Sequence, residues 1–259
     1  MKKEITYNYY QKDLTKVLKN LGSDAVEDLN KMLLIRNFEA RAEAAYMQGK
    51  IGGFFHTYTG QEAIQTAAVR AFGKEQWYTT TYRCHALALL LDAGIDEVMA
   101  ELYGKETGNA RGRGGSMHLY TERMLGGFGI VGGHVPVATG AAFSIKYQNQ
   151  DKVSLCFLGD GSMAHGAFHE ALDYASLWDL PCIYVIENNK WWLGTEVSRA
   201  ICSQPLAESF APAYSMESYT LNGMDYVQCY AAFKEMAKKI KENSRPILVE
   251  AVTERFKGH

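Results

Sequence analysis

No stretch of the 259-residue chain stays apolar for the roughly 20 positions that a membrane-spanning helix needs. Charge of one sign is also missing. Lys plus Arg number 27 against 29 Asp plus Glu, a formal net charge of -2, which argues against a protein built to coat nucleic acid or an anionic membrane. The five cysteines, Cys84, Cys156, Cys182, Cys202 and Cys229, are scattered and contain no C-x-x-C pair. That excludes a disulfide or zinc framework and suits reduced thiols. The start, Met1 to Gln11, is rich in tyrosine, contains Glu4 and lacks the apolar core of a secretory signal. No linker, low-complexity tract or internal repeat interrupts the chain. The expectation is a soluble, cytoplasmic protein with neither nucleic acid nor membrane as partner.

What is present is an ordinary globular composition, 47% hydrophobic and 22% charged, at a length that allows one large domain. Asp24 stands as a candidate helix cap before a stripe of Leu29, Met32, Leu33, Ile35, Phe38, Ala42 and Ala45, which Gly49 ends. Further helices are expected over Gln61 to Phe72, Cys84 to Asp92 and Asp96 to Tyr103, with Asp96 as a cap, and a strand over Trp77 to Thr81. Glycines crowd the region from Gly104 to Gly133, which reads as a long functional loop. Strand and helix then alternate: helix Val135 to Tyr147, strand Val153 to Leu158, helix Ala164 to Trp178, strand Cys182 to Glu187, helix Asp225 to Glu242 and strand Ile247 to Val252. These strands are continuous apolar runs, as in a parallel sheet covered by helices on both faces. The expected fold is a single α/β domain over residues 1–259, with a helical N-terminal extension over about residues 1–50.

Two strands end in polar clusters. Leu158 runs into Gly159-Asp160-Gly161-Ser162, and Ile186 into Glu187-Asn188-Asn189, with one helix between them. A right-handed crossover brings both clusters to one sheet edge, where ligands of such sheets sit. Asp160 offers a carboxylate and Asn189 an amide oxygen, donors suited to Mg2+, which usually keeps phosphate oxygens and water in its shell. Either cluster alone would be a turn or a strand terminator. Together they resemble the thiamine diphosphate and magnesium motif.

The flanks extend the likeness. Gly53-Phe54-Phe55-His56, Gly60-Gln61-Glu62-Ala63, Tyr82-Arg83-Cys84-His85, Gly114-Gly115-Ser116-Met117-His118, Gly129-Ile130-Val131-Gly132 and Phe168-His169-Glu170-Ala171-Leu172 occur in order. They resemble the alpha subunit of the decarboxylating component of 2-oxo acid dehydrogenase complexes, a group with pyruvate, branched-chain and acetoin enzymes. The resemblance runs from about residue 28 to His259 and implies the thiamine diphosphate-binding fold.

It also implies roles. Asp160, the Asn189 side chain and the Trp191 carbonyl would bind Mg2+; Gly161 and Ser162 would lie against the diphosphate, with Tyr82, Arg83, Arg255 and, more weakly, Thr121 as further contacts. The backbone of Gly129 and Val131 would hold the aminopyrimidine ring. His56 and His259 match active-site positions, for hydrogen bonding and proton transfer around the substrate carboxylate, and His259 also counts as a cofactor contact. His85, His118 and His169 are expected to be structural. The implied reaction decarboxylates a small 2-oxo acid on thiamine diphosphate and passes the acyl group to a lipoyl arm on an acyltransferase partner. The activating glutamate of the family lies on a beta subunit, so an alpha2beta2 assembly is implied.

Gly127, Gly129 and Gly132 also spell G-x-G-x-x-G, but Arg123-Met124-Leu125 does not read as a strand before it, Pro136 and Asp151 fall in awkward places for a dinucleotide-binding pattern, and such a site is set aside. Departures from the family pattern fall at Ala164, His165, His134 and the bulky Trp192. We expect Trp192 either to narrow the site or to be buried in a core. Family members continue past Gly258-His259, so the family's C-terminal part is expected to be absent. Two alternatives stay open: another thiamine-dependent enzyme, such as a split transketolase or an acyloin-forming enzyme, and a non-catalytic remnant that only binds partners.

Overall fold

Apolar runs without alternation need cover on both faces, and they receive it in the computed structural model, which describes residues 5–259. Residues 1–4, with Glu4 of the tyrosine-rich start, lie outside the described residues. The helices are α1 (Leu14–Leu21), α2 (Ser23–Met47), α3 (Glu62–Phe72), α4 (His85–Leu90), α5 (Ile95–Leu102), α6 (His134–Tyr147), α7 (Gly166–Leu177), α8 (Leu206–Phe210) and α9 (Tyr226–Asn243). The strands are β1 (Trp77–Thr81), β2 (Met124–Phe128), β3 (Ser154–Gly159), β4 (Cys182–Asn188), β5 (Trp191–Trp192), β6 (Thr195–Glu196), β7 (Glu217–Asn222) and β8 (Ile247–Val252).

Six strands form one sheet in the order β2-β1-β3-β4-β8-β7, every neighbouring pair parallel. β5 and β6 make a separate hairpin. Along β3, Leu155 and Phe157 pack with α2, α3 and α9, while Cys156 and Leu158 pack with α6 and α7 on the opposite face. The period-two side-chain geometry of a strand thus supplies two cores from one apolar run. The strand order reverses between β1 and β3, which opens a crevice at the carboxyl edge of the sheet. Gly159 pairs with Glu187 across β3 and β4, so the two polar clusters lie side by side at that edge, as the crossover argument requires.

Several local expectations are corrected. Met124–Phe128 is a strand, parallel to β1 at the sheet's edge, although the segment has few β-formers. The G-x-G-x-x-G run therefore does straddle a strand-to-helix junction, which removes the first objection to a dinucleotide site and leaves the one from Pro136, inside α6, and Asp151. Gly22 rather than Asp24 caps α2, and Gly94 rather than Asp96 caps α5, with the Glu97 carboxylate reaching back to the Gly94 N–H at 3.4 Å. α2 is more than an extension. Ile35, Phe38, Ala42 and Ala45 enter the main core, whereas Leu29 and Leu33 of the same stripe are exposed. The stretch Asp160–Ala164 is a single tight helical turn, and α7 begins only at Gly166.

Candidate active site

The ends of β1, β2, β3, β4 and β8 converge on a cavity of about 620 Å³. β1 delivers Tyr82 and Arg83, β2 delivers Gly129 and Val131, and β3 delivers Asp160, Gly161 and Ser162. β4 leads to Asn189 and Trp191, and β8 to Arg255 and His259; His56 comes from the loop before α3. Twelve sequence-predicted residues thus share one wall-to-wall space. Thr121 is the exception. It lies before the first residue of β2, at the opposite end of that strand, where its hydroxyl accepts the Met124 N–H at 3.2 Å, and it lines a different surface hollow.

Cations dominate one side of the cavity. Arg83 is buried, donates from Nη1 to the Thr57 carbonyl at 2.5 Å, and has Nη2 3.4 Å from His259 Nδ1. Arg255 Nη1 approaches the same His259 nitrogen at 3.3 Å. Two guanidinium donors converge on one ring nitrogen, so that nitrogen carries the lone pair and the imidazole is neutral. Burial together with Arg83 and Arg255 holds His259 below the ordinary histidine value. His56, whose ring lies 4.7 Å from that of His259 and 4.5 Å from that of Tyr82, is pushed down to about 4 by burial and then by Arg83. Its Nδ1 is buried without a hydrogen-bond partner. Burial and the nearby Arg255 push Arg83 itself down to about 10, still cationic at neutral pH. Glu39 and Glu187 act on Arg83 and Asp160 on Arg255, but neither arginine is in an ion pair among the described residues, so an anion would relieve the cluster.

The opposite wall has the complementary lack. Asp160 is 3% exposed, and its Oδ2 has no hydrogen-bond partner. Burial pushes its carboxyl up to about 7, while the amides of Gly161, Lys190 and Trp191 act in the other direction. The Ser162 hydroxyl is likewise buried and unpartnered. Asn189 Oδ1 accepts the Trp191 N–H at 3.2 Å, closing the turn that brings the Trp191 backbone beside it. A buried carboxylate oxygen without a partner costs free energy unless a cation or a donor meets it. Aspartate, an amide oxygen and a main-chain carbonyl are the hard oxygen donors Mg2+ takes, so these residues fit the ion the sequence implied.

Other residues frame this centre. Gly161 lies under Trp192: a Cβ there would sit 3.4 Å from the indole. Trp192, half-buried rather than buried in a core, lines the cavity and packs against the core of α6 and α7. Gly60, at φ 103°, lets the chain beyond β8 pass closely, since a Cβ would fall 2.3 Å from the Glu254 carbonyl. The Phe256 N–H donates to the Thr59 carbonyl there at 3.2 Å, which fixes Arg255 against the His56 loop.

His118 and His169 have the structural roles expected, Nδ1 of each meeting the Gly127 carbonyl at 3.0 Å and the Tyr214 hydroxyl at 2.6 Å. His134, Ala164, His165 and Trp192, the departures from the family pattern, all line the cavity, and so does Glu187, which was not singled out for the site. Burial pushes Glu187 up to about 7, and its carboxylate accepts from the Tyr58 hydroxyl and from Gln65 Nε2 at 3.2 Å. An acid ending an otherwise apolar strand was the available signal. His134, fully buried, donates from Nε2 to the Phe157 carbonyl at 2.9 Å, and its Nδ1 has no partner.

The dehydrogenase E1 component family matches residues 30–259. A protein of Rickettsia bellii named pyruvate dehydrogenase E1 component subunit alpha is 40% identical over 243 residues, covering 93% of this chain and 74% of that protein. Its namesake in Porphyra purpurea is 40% identical over 237 residues, 88% of this chain and 69% of that one. The chloroplastic alpha-3 subunit of Arabidopsis thaliana is 41% identical over 251 residues, 94% of this chain and 58% of that one. The chain belongs to the dehydrogenase E1 component family, among relatives named as alpha subunits of pyruvate dehydrogenase.

Proposed function

We propose that this chain is the alpha subunit of a thiamine diphosphate- and Mg2+-dependent 2-oxo acid dehydrogenase. It would decarboxylate a small 2-oxo acid and pass the acyl group to a lipoyl carrier, at a site shared with a beta subunit. The observation that carries this reading is the pairing of opposites in one cavity: a buried Asp160 oxygen without a hydrogen-bond partner beside the Asn189–Trp191 turn, and an Arg83–Arg255 pair that is in no ion pair among the described residues. A magnesium diphosphate supplies the missing charge of each sign.

Asp160, the Asn189 side chain and the Trp191 carbonyl would hold the ion. Arg83 and Arg255, with Tyr82, Gly161 and Ser162 beside them, would hold the diphosphate, the guanidinium being the best side chain for bidentate phosphate contact. Thiamine diphosphate, when bound, supplies the nucleophilic carbon and electron sink that loss of carbon dioxide from a 2-oxo acid requires. Neutral His56 and His259 would accept and return protons at their ring nitrogens; an arriving carboxylate offsets the arginines and raises both toward neutrality, where proton transfer is efficient. The free state of all five cysteines supports a reducing compartment such as the cytoplasm.

The test is calorimetry of thiamine diphosphate and Mg2+ binding to the chain co-expressed with its beta subunit. Saturable, Mg2+-dependent binding that is lost in Asp160→Ala is expected. Binding that ignores Mg2+ or survives Asp160→Ala would defeat the assignment, and no binding at all would favour the non-catalytic alternative.

A further inference from the structure

Glu39 lies on α2, is 0% exposed and does not line the cavity. It nevertheless grips two segments that do. Its Oε1 accepts the Tyr58 backbone N–H at 2.8 Å, two residues past His56. Its Oε1 and Oε2 also meet His85 Nδ1 at 3.1 and 3.0 Å, two residues past Arg83. A third segment joins through the other side of the same ring: His85 Nε2 lies 2.8 Å from the Ser116 hydroxyl and 3.1 Å from the Ser116 carbonyl, next to cavity-lining Met117.

His85 Nδ1 faces only carboxylate oxygens, so it carries a hydrogen. Phe38 and Phe55 enclose the imidazole, with ring centroids at 5.8 and 5.5 Å. His85 is 0% and Ser116 2% exposed, and in such a dry setting each bond is worth more, and each unpaired group costs more, than at the surface. One gripped segment bears Arg83 of the cationic cluster, and Arg83 returns to the other, the His56 loop, through its bond to the Thr57 carbonyl at 2.5 Å.

We propose that Glu39 is a positioning residue that acts through Tyr58 and His85 to hold His56 and Arg83 in register for anion binding. The proposal rests on the reading of those two residues given above. Removing the carboxylate leaves the Tyr58 N–H and His85 Nδ1–H buried and unpaired, and the segments can pair them only by moving apart or admitting water. Glutamine keeps an oxygen where Oε1 already accepts from both partners, so it preserves the grip.

The full chain without ligand tests this by NMR titration of the His56 ring. That ring faces Tyr82, His259, Phe54, Arg83, Arg255 and His85, and burial with Arg83 places it at about 4. Glu39→Ala is expected to bring the midpoint up toward the ordinary histidine value, because the ring leaves Arg83 and meets water. Loss of a negative charge with no movement acts in the reverse direction, so the sign is diagnostic. Glu39→Gln, which loses the charge but keeps the grip, should titrate at the wild-type midpoint or slightly below it, never above. An unchanged or lowered His56 midpoint in folded Glu39→Ala overturns the proposal. If that variant does not fold, hydrogen exchange of the wild type decides: the Tyr58 amide should exchange as slowly as β3 and β4, and loop-like exchange overturns the proposal.

Binding of inorganic diphosphate with Mg2+ separates the two claims. Glu39→Ala is expected to weaken it by about tenfold, the order of one lost charge-assisted contact. Unchanged binding in Arg83→Met defeats the reading of the site. Loss in Arg83→Met with none in Glu39→Ala defeats the role of Glu39 alone.

Discussion

Asp160 and His134 are both buried beside the cavity, and burial drives them in opposite directions, the carboxyl up to about 7 and the imidazole down to about 4. In each case the neutral form is the one that a dry environment favours. For His134 this links pH to stability. An unfolded histidine takes up a proton as pH falls below about 6.5, whereas folded His134 stays neutral until about 4. The unfolded state therefore binds more protons in that window, and stability present above about 6.5 is lost as pH falls toward 4. Full loss of this term is about 3 kcal/mol. Urea unfolding at pH 5 and 7 should show a smaller pH dependence in His134→Gln than in the wild type; equal slopes would contradict the assignment. Nothing in the local sequence around His134 reveals this, because its burial depends on Phe157 and Phe128, which come from two separate strands.

β2 shows how an element can form against local preference. Met124–Phe128 carries two glycines, yet it completes the sheet because β1 has an open edge whose backbone groups need partners. Gly127 is what lets it approach: a Cβ there would sit 2.6 Å from Cys84 Sγ and 2.7 Å from the Met117 carbonyl. Gly127→Ala is expected to cost about 1–3 kcal/mol as an overpacking change, read as a lower urea midpoint. An unshifted midpoint would mean that β2 yields freely. The loop before β2 is ordered by one side chain on α5. Glu101 accepts the N–H groups of Ala110 and Gly112 at 2.8 Å each, Gly114 at 2.7 Å and Gly115 at 3.1 Å. Glu101→Ala leaves those amides without their acceptor and should destabilise the fold by about 2 kcal/mol or more. Protease cleavage within residues 104–116 should accelerate in the variant, and an unchanged digestion rate would count against this role.

At the scale of the whole molecule, few carboxyl groups reach the site. Among the described residues lining the cavity, the carboxyl groups are Asp160 and Glu187; the first is assigned to the ion, and the second is engaged by Tyr58 and Gln65. The exposed faces of α6 and α7 carry Phe143, Tyr147, Tyr174, Leu177 and Trp178, partly stacked on one another, a surface of the kind that partners cover. Purified alone with thiamine diphosphate and Mg2+, the chain should release little carbon dioxide from any of a panel of 2-oxo acids, and turnover should appear on adding the beta subunit. Full turnover by the isolated chain would sink the shared-site reading.

The apolar runs of β3, β4 and β8, and the polar residues that end the first two, were legible because both are local: a strand buried on two faces must be apolar throughout, and its end must change chemistry. Asp160 and Asn189 were readable for the same reason, each following directly on a strand end, whereas Arg83 and His56 were reached only through the resemblance to the family. Only tertiary packing placed Thr121 at the wrong end of β2, drew Glu187 into the cavity wall, and made Glu39 the common anchor of two site segments. Those outcomes depend on partners 19 to 129 residues away in sequence. Distance along the chain carries no local signature, and burial, which sets charge and hydrogen bonding, exists only once the layers have closed.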